Sequence, residues 1–134
     1  MAVLRDELIG LRAMDDIIKA RQLVRECAVF QGLSLVDQTK IVTAASELAR
    51  NTLIHGGGGD MRLQALNDGP RRGVKVIFLD KGPGIPDIAL AMKDGYTTRG
   101  GLGLGLSGSK RLVNEFDIES QPGKGTTVTI VRWK

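Results

Sequence analysis

From Tyr96 to Lys110 the sequence is Y-T-T-R-G-G-L-G-L-G-L-S-G-S-K, and this stretch is the most informative part of the chain. Glycine-rich backbone directly before a helix N-terminus binds anions, because its N–H groups are not shielded by side chains. The hydroxyl of Thr98 and the cation of Arg99 add donors just upstream. The sequence therefore predicts a polyphosphate site here. The glycines that leave their N–H groups bare are Gly101, Gly103 and Gly105.

Two other interpretations of this stretch stay open. Gly103, Gly105 and Gly108 also fit G-x-G-x-x-G, which in dinucleotide-binding folds follows a buried strand. The residues before Gly103 are polar or glycine, and no strand–helix–strand unit is evident around them, so the sequence disfavours this interpretation. A flexible loop followed by a helix is the simpler alternative.

Length and composition predict one soluble domain, residues 1–134, that needs no covalent or metal support. A chain of 134 residues buries about two-thirds of its unfolded surface. Cys27 is the only cysteine and His55 the only histidine, which excludes a disulfide framework and a Cys/His zinc site. No apolar run approaches the ~20 residues of a membrane span, and the signal-peptide order is missing. We therefore expect a cytoplasmic protein without membrane association.

The net charge of +4 raises the question of nucleic acid. The basic residues are spread along the chain, and only three Phe, one Tyr and one Trp are present to stack on bases. The sequence thus disfavours nucleic-acid binding and favours a mildly basic face for acidic proteins or nucleotide phosphates.

Hydrophobic spacing predicts two long helices in the first half of the chain. Asp15 or Asp16 caps the first, which continues to about Phe30 and carries Cys27 on its buried side. Ser34 caps the second, which extends from Leu35 to about Ile54. Its predicted buried stripe is Ile41, Ala45, Leu48 and Thr52.

A polar stripe lies beside the buried one on the second helix. Glu47, Asn51 and His55 recur every four residues and therefore share one face. A carboxylate, an amide and an imidazole aligned in this way indicate a polar cleft. An ordinary solvated helix face is the alternative.

The remaining pattern predicts strands separated by glycine-rich turns. Asp80 ends one strand and is followed by Gly82 and Gly84, which places a carboxylate where backbone can approach a ligand closely; a simple Pro-Gly turn is the alternative. The predicted strands are Glu7–Ala13, Met61–Leu66, Val74–Leu79, Phe116–Ser120 and Thr126–Trp133, with helices over Ile88–Lys93 and Gly103–Asn114 and a mobile lid over Pro86–Gly101.

Four blocks in this order resemble the ATP-binding domain of the GHKL group, which contains gyrase, heat-shock-90 chaperones, histidine kinases and MutL. The blocks are E-L-A-R-N from Glu47, D-K-G-P-G from Asp80, T-T-R-G-G-L-G-L-G-L from Thr97 and G-K-G-T from Gly123. Within the group, the single small domain is similar to the serine/threonine kinases of the anti-sigma-factor type, especially the stressosome kinase. The resemblance implies an α/β sandwich, with a mixed, mostly antiparallel sheet of about five strands and the helices packed on one face.

The same resemblance implies ATP and Mg²⁺ as cofactors and gives each block a role. Asp80 would accept a hydrogen bond from the adenine amino group, Thr126 would support the base, and Asn51 would hold Mg²⁺. Glu47, one turn before Asn51, would be the catalytic base. The full set of nucleotide-binding residues implied is Asn51, Asp80, Gly82, Gly84, Thr98, Arg99, Gly101, Leu102, Gly103, Leu104, Gly105, Leu106 and Thr126.

For function, the resemblance implies a kinase that phosphorylates STAS-domain partner proteins in a stress-response pathway and, once released, activates a phosphatase or another output protein. The alternatives are an anti-sigma factor that sequesters a sigma subunit, a nucleotide-sensing module without transfer activity, and a chaperone-like ATPase. The sequence leaves the oligomeric state open, a homodimer included.

Overall fold

The computed structural model describes residues 1–93 and 105–134 as a layer of helices packed on one antiparallel sheet. In chain order the strands are β1 Ala2–Leu11, β2 Gly59–Asp68, β3 Arg71–Asp80, β4 Glu115–Gln121 and β5 Gly125–Trp133. The helices are α1 Met14–Phe30, α2 Leu35–Ile54, α3 Ile88–Ala91 and α4 Gly105–Arg111.

The sheet has the strand order β1-β2-β3-β5-β4. Each neighbouring pair is antiparallel. Five strands and an α/β sandwich were predicted, and both are confirmed. The predicted mixed character is not seen, because within the described residues the sheet is antiparallel throughout.

The first helix begins at Met14, with the carboxylate of Asp16 as its cap. That carboxylate accepts the backbone N–H groups of Arg12 at 2.8 Å and Ala13 at 3.0 Å, which would otherwise lack partners ahead of the helix. Cys27 is fully buried on the side that faces the core, as predicted, whereas Phe30 at the end of the helix is half exposed. The N-cap position is Ala13, so neither candidate is the N-cap residue, and Asp16 caps the helix from inside its first turn.

The second helix spans the predicted residues. The hydroxyl of Ser34 accepts the backbone N–H of Asp37 at 3.1 Å, which completes the N-terminal cap. All four residues of its predicted buried stripe are buried: Ile41, Ala45, Leu48 and Thr52.

The core lies between these helices and the inner face of the sheet. Alternate residues of the central strands point toward the helices, as the two-residue period of a strand requires. The opposite face of the sheet carries a small cluster of its own, formed by Leu66, Val131 and Trp133. The largest fully buried side chains of the strands are Leu11, Met61, Leu63, Phe78 and Ile130.

Several predicted boundaries were wrong. The first strand starts at Ala2 and ends at Leu11, because the chain from Ala2 to Leu11 pairs with β2. The β2–β3 turn contains only Gly69 and Pro70, since Asp68 already pairs with Arg71. The polar residues around the turn therefore belong to the strands.

The last predicted helix ends at Arg111, not at Asn114. Asn114 cannot continue the helix, since its backbone N–H donates to the Val131 carbonyl of β5 at 2.9 Å. The short helix before it ends at Ala91 rather than at Lys93. Within the described residues, no helix combines the length and apolar character needed to cross a membrane.

Candidate nucleotide-binding site

Three chain segments meet at one end of the sheet: the end of α2, the end of β3 and the start of β5. The spacing is so tight that only glycine fits at two of the contacts. A Cβ atom on Gly56 would lie 2.5 Å from the Asp80 carboxyl carbon, and one on Gly82 would lie 2.8 Å from the Gly56 Cα. The glycines around Asp80 thus bring the helix end against the strand end.

In the described residues, backbone N–H groups donate to only one of the two carboxylate oxygens of Asp80. Its Oδ1 accepts the N–H of Gly82 at 2.9 Å and the N–H of Thr126 at 3.2 Å. Within the two described ranges, Oδ2 receives no hydrogen bond. Asp80 is therefore oriented by one oxygen and can accept a donor from a ligand with the other. An exocyclic amino group of a purine is such a donor.

The loop after Asp80 forms one wall of the site, and the β4–β5 hairpin forms the other. The N–H of Gly123 donates to the Pro83 carbonyl at 2.7 Å. At Gly84, a Cβ atom would collide with the Gln121 carbonyl oxygen, and the residue has a φ of +77°. Close approach and a left-handed backbone both require glycine here.

Ser120 is the side chain that joins these walls, and the sequence analysis missed it. Its Oγ accepts the Ile85 N–H at 2.7 Å and lies 2.8 Å from the Thr126 Oγ1, in a hydrogen bond in which either hydroxyl can be the donor. The signal that could have found it is its register position, because Ser120 pairs directly with Thr126 across the hairpin. The predicted hairpin, with one strand ending at Ser120 and the next starting at Thr126, already contained this pairing.

Glu47 and Asn51 are both half-buried on α2, one helical turn apart. In the part of the chain that the structure describes, neither side chain makes a hydrogen bond or an ion pair. The Asn51 carbonyl accepts the N–H groups of His55 at 2.9 Å and Gly56 at 3.1 Å, which ends the helix beside Asp80. His55 is exposed at the C-cap, so only the first two members of the predicted polar stripe lie partly in the interior.

The donor set suits Mg²⁺ bound mainly through phosphate. Among the described residues, no group of three or more His, Cys, Asp or Glu could hold a metal ion. The amide oxygen of Asn51 is a hard ligand, and Mg²⁺ commonly takes one or two protein ligands together with phosphates and waters. The residues present thus fit a magnesium–nucleotide complex rather than a metal held by protein alone.

The remaining predicted site residues divide into two groups. Gly105 opens α4 with a φ of +71°, and Leu106 packs partly buried against the core. The others lie outside the described residues: Thr98, Arg99, Gly101, Leu102, Gly103 and Leu104.

Comparison with known proteins assigns the chain to a family. The family model described as "Histidine kinase-, DNA gyrase B-, and HSP90-like ATPase" matches residues 36–134. A serine/threonine-protein kinase of Bacillus subtilis, RsbT, is 48% identical over 118 residues, which cover 88% of this chain and 89% of the relative. An anti-sigma F factor of Thermoanaerobacter is 33% identical over 120 residues, which cover 85% of this chain and 82% of the relative.

The fold has relatives among solved structures as well. A crystal structure of the RsbU and RsbW domains of a Mycobacterium tuberculosis protein matches with a TM-score of 0.66 and 22% identity. The match covers 97% of this chain but only 33% of the mycobacterial chain. At this identity the likeness concerns the fold alone.

Proposed function

The chain belongs to the family of histidine kinase-, DNA gyrase B- and HSP90-like ATPases, and we propose that it is a serine/threonine protein kinase that takes its phosphoryl group from ATP. The Bacillus relative with that name aligns over nearly its whole length. The observation that carries the proposal is a pair of half-buried side chains, Glu47 and Asn51, on the helix that ends against Asp80; neither makes a hydrogen bond or an ion pair with the described residues.

In this proposal ATP is the phosphoryl donor, and the pocket around Asp80 recognises its adenine base. Asp80 Oδ2 accepts a hydrogen bond from the adenine amino group, while Oδ1 stays on the backbone N–H groups of Gly82 and Thr126. A fixed acceptor discriminates between bases, because a purine without a donor at that position leaves the carboxylate unpaired. The glycines on both sides let the backbone approach the ring.

Asn51 is the residue that we assign to Mg²⁺. When bound, the ion neutralises charge on the phosphates and aligns them for transfer. The phosphate-binding role of Thr98, Arg99 and the glycines Gly101 and Gly103 remains a proposal from the sequence, as do the contacts of Leu102 and Leu104.

Glu47 acts as the general base in this proposal. Its carboxylate accepts the proton of a serine or threonine hydroxyl on the protein substrate as that oxygen bonds to the γ-phosphorus, and ADP leaves with the electrons of the broken P–O bond. One turn before Asn51 on α2, Glu47 would lie close to phosphates held through the proposed Mg²⁺.

The proposed substrates are STAS-domain proteins of a stress-response pathway in the cytoplasm, and the proposed output is a phosphatase or another partner engaged after release. An anti-sigma factor that binds a sigma subunit is the second candidate, supported by the relatives of that name at 33% identity. Both candidates use the same ATP site. Label on a STAS partner with no sigma factor captured favours the first.

The test of the proposal is phosphate transfer by the Glu47→Gln variant. Purified chain is incubated with Mg²⁺, γ-labelled ATP and a STAS-domain protein, and label is followed on the partner and as free phosphate. We expect Glu47→Gln to bind ATP like the wild type but to transfer label about 10²- to 10⁴-fold more slowly, because the base is lost.

Glu119→Gln is the matched control, because this exposed carboxylate on β4 is not part of the proposed site. It should transfer label at the wild-type rate. Undiminished transfer by Glu47→Gln would remove Glu47 from the mechanism. Free phosphate without labelled partner would indicate an ATPase, and ATP binding without either product would indicate a nucleotide-sensing module.

A further inference from the structure

We propose that Ser120 is a positioning residue for the nucleotide base: it holds the two walls of the base pocket at the spacing that the base requires. This inference rests on the proposed ATP site. It concerns a residue that neither the sequence motifs nor the family blocks include. The evidence is a set of hydrogen bonds that converge on one hydroxyl group.

Ser120 contacts three chain positions at once. Its Oγ accepts the Ile85 N–H at 2.7 Å, lies 2.8 Å from Thr126 Oγ1, and lies 3.1 Å from the Gly125 carbonyl oxygen. Ile85 belongs to the loop after Asp80, whereas Thr126 and Gly125 begin β5. One small side chain therefore connects the two segments on which the base must rest.

The hydroxyl of Ser120 can change its hydrogen-bond partners when a ligand binds to Thr126. A serine hydroxyl has one proton and two lone pairs, and the Ile85 N–H occupies one lone pair. When Ser120 donates to the Gly125 carbonyl, it can accept the Thr126 proton. When it donates to Thr126 instead, the Thr126 proton is free for a ligand. Ser120 thus keeps Thr126 hydrogen-bonded whether or not Thr126 engages a base.

Two other hydrogen bonds between the walls do not involve Ser120. Gly123 N–H to Pro83 carbonyl is one such bond, at 2.7 Å. Thr126 N–H to Asp80 Oδ1 joins the same hairpin to the base-recognising carboxylate at 3.2 Å. Removing the Ser120 hydroxyl therefore loosens the spacing without deleting the pocket.

The experiment compares ligands that do and do not contain a base. Titration calorimetry with Mg²⁺ measures the affinity of the wild type, Ser120→Ala and Ser120→Thr for ATP and for inorganic tripolyphosphate. We expect Ser120→Ala to bind ATP about tenfold more weakly, equivalent to about 1.4 kcal/mol, and to bind tripolyphosphate like the wild type. Ser120→Thr keeps the hydroxyl and should restore most of the ATP affinity.

Kinetics provide a second readout. The KM for ATP should rise in Ser120→Ala while kcat at saturating ATP stays within about twofold, because base binding is the same in ground state and transition state. Thr39→Ala is the control for loss of a hydroxyl elsewhere, since among the described residues the Thr39 hydroxyl donates only to the Leu35 carbonyl of its own helix. This control should leave both ligands' affinities unchanged.

Two results would overturn the inference: wild-type ATP affinity in Ser120→Ala, or an equal loss for ATP and tripolyphosphate, which would indicate general structural damage. If Ser120→Ala does not fold, Ser120→Cys, with a similar shape and weak hydrogen bonding, takes its place in the same comparison. A wild-type chain that binds no ATP would instead contradict the proposed function, so the two failures can be distinguished.

Discussion

At the residue scale, the candidate site depends on polar groups that the fold leaves partly unused. One carboxylate oxygen of Asp80 accepts two backbone N–H groups, and the other accepts no hydrogen bond from residues 1–93 or 105–134. Glu47 and Asn51 are half-buried on α2. All three side chains are thus only partly buried and can still be reached by a ligand. Their presence together at the end of α2 supports a binding role.

Cys27 shows the opposite case, a reactive group that the fold makes inert. Burial raises the pKa of its thiol to about 11. Since the thiolate is the reactive form, we expect the native chain to react with an aromatic disulfide reagent at pH 8 at least about 10²-fold more slowly than free cysteine. Absorbance at the released thiolate measures the rate.

The same reaction in guanidinium chloride is the control for Cys27, because unfolding should restore the ordinary rate. A native chain that reacts as fast as the unfolded one would show that the thiol is accessible and not part of the core.

At the element scale, the β4–β5 hairpin is the element that completes the base pocket. Its two turn glycines both adopt left-handed φ, +76° at Gly123 and +87° at Gly125. A Cβ on Gly123 would meet nothing within 4 Å, whereas one on Gly125 would collide with the Asp80 carbonyl oxygen. An alanine at Gly123 therefore introduces backbone strain alone, whereas an alanine at Gly125 introduces backbone strain and a steric clash.

We expect Gly123→Ala to lower the free energy of unfolding by about 1–2 kcal/mol, the cost of a left-handed alanine. Gly125→Ala should cost at least about 1–3 kcal/mol more, because the hairpin must move away from Asp80. It should also weaken ATP binding, which Gly123→Ala should not. Urea unfolding and calorimetry measure the two effects. Equal destabilisation by both variants would show that the contact with Asp80 is not close in solution.

At the scale of the whole molecule, an ion pair joins the first turn of α2 to the last strand. Arg132 donates to Asp37 Oδ1 at 2.7 Å, and the two side chains are only 16% and 23% exposed. The hydrogen bond from Arg132, with its positive charge, keeps the pKa of Asp37 below the ordinary value of 3.8. Because the unfolded chain binds the proton more tightly, this pair stabilises the fold above about pH 4, and the contribution is lost as pH falls through the folded pKa.

We therefore expect Asp37→Asn to lower the free energy of unfolding at pH 7 by about 1–3 kcal/mol, since Arg132 then lacks its charged partner. The difference from the wild type should shrink below pH 4. The control is Asp68→Asn. In the wild type, Asp68 is 41% exposed and its ion-pair partner Arg71 is 54% exposed, so this pair should contribute less than about 1 kcal/mol. Urea unfolding at several pH values measures both. A difference that does not change with pH would contradict the role of the charge.

The amino-acid sequence predicted the two long helices, the number of strands and the family blocks, because periodicity, caps and glycine positions are local properties of the chain. It predicted α2 to the residue and identified Asp80 as the end of a strand. Its errors lie where polar residues belong to strands, as at Asn67 and Arg72, since a strand needs only one apolar face.

Which polar groups of the site lie together could be seen only in the three-dimensional structure. Ser120 and Ile85 are 35 residues apart, and their hydrogen bond depends on how the β4–β5 hairpin packs against the loop after β3. The same holds for the second oxygen of Asp80, whose availability follows from which backbone N–H groups reach the first. Local sequence patterns carry no record of such contacts, because strand pairing and close backbone approach between distant segments create them.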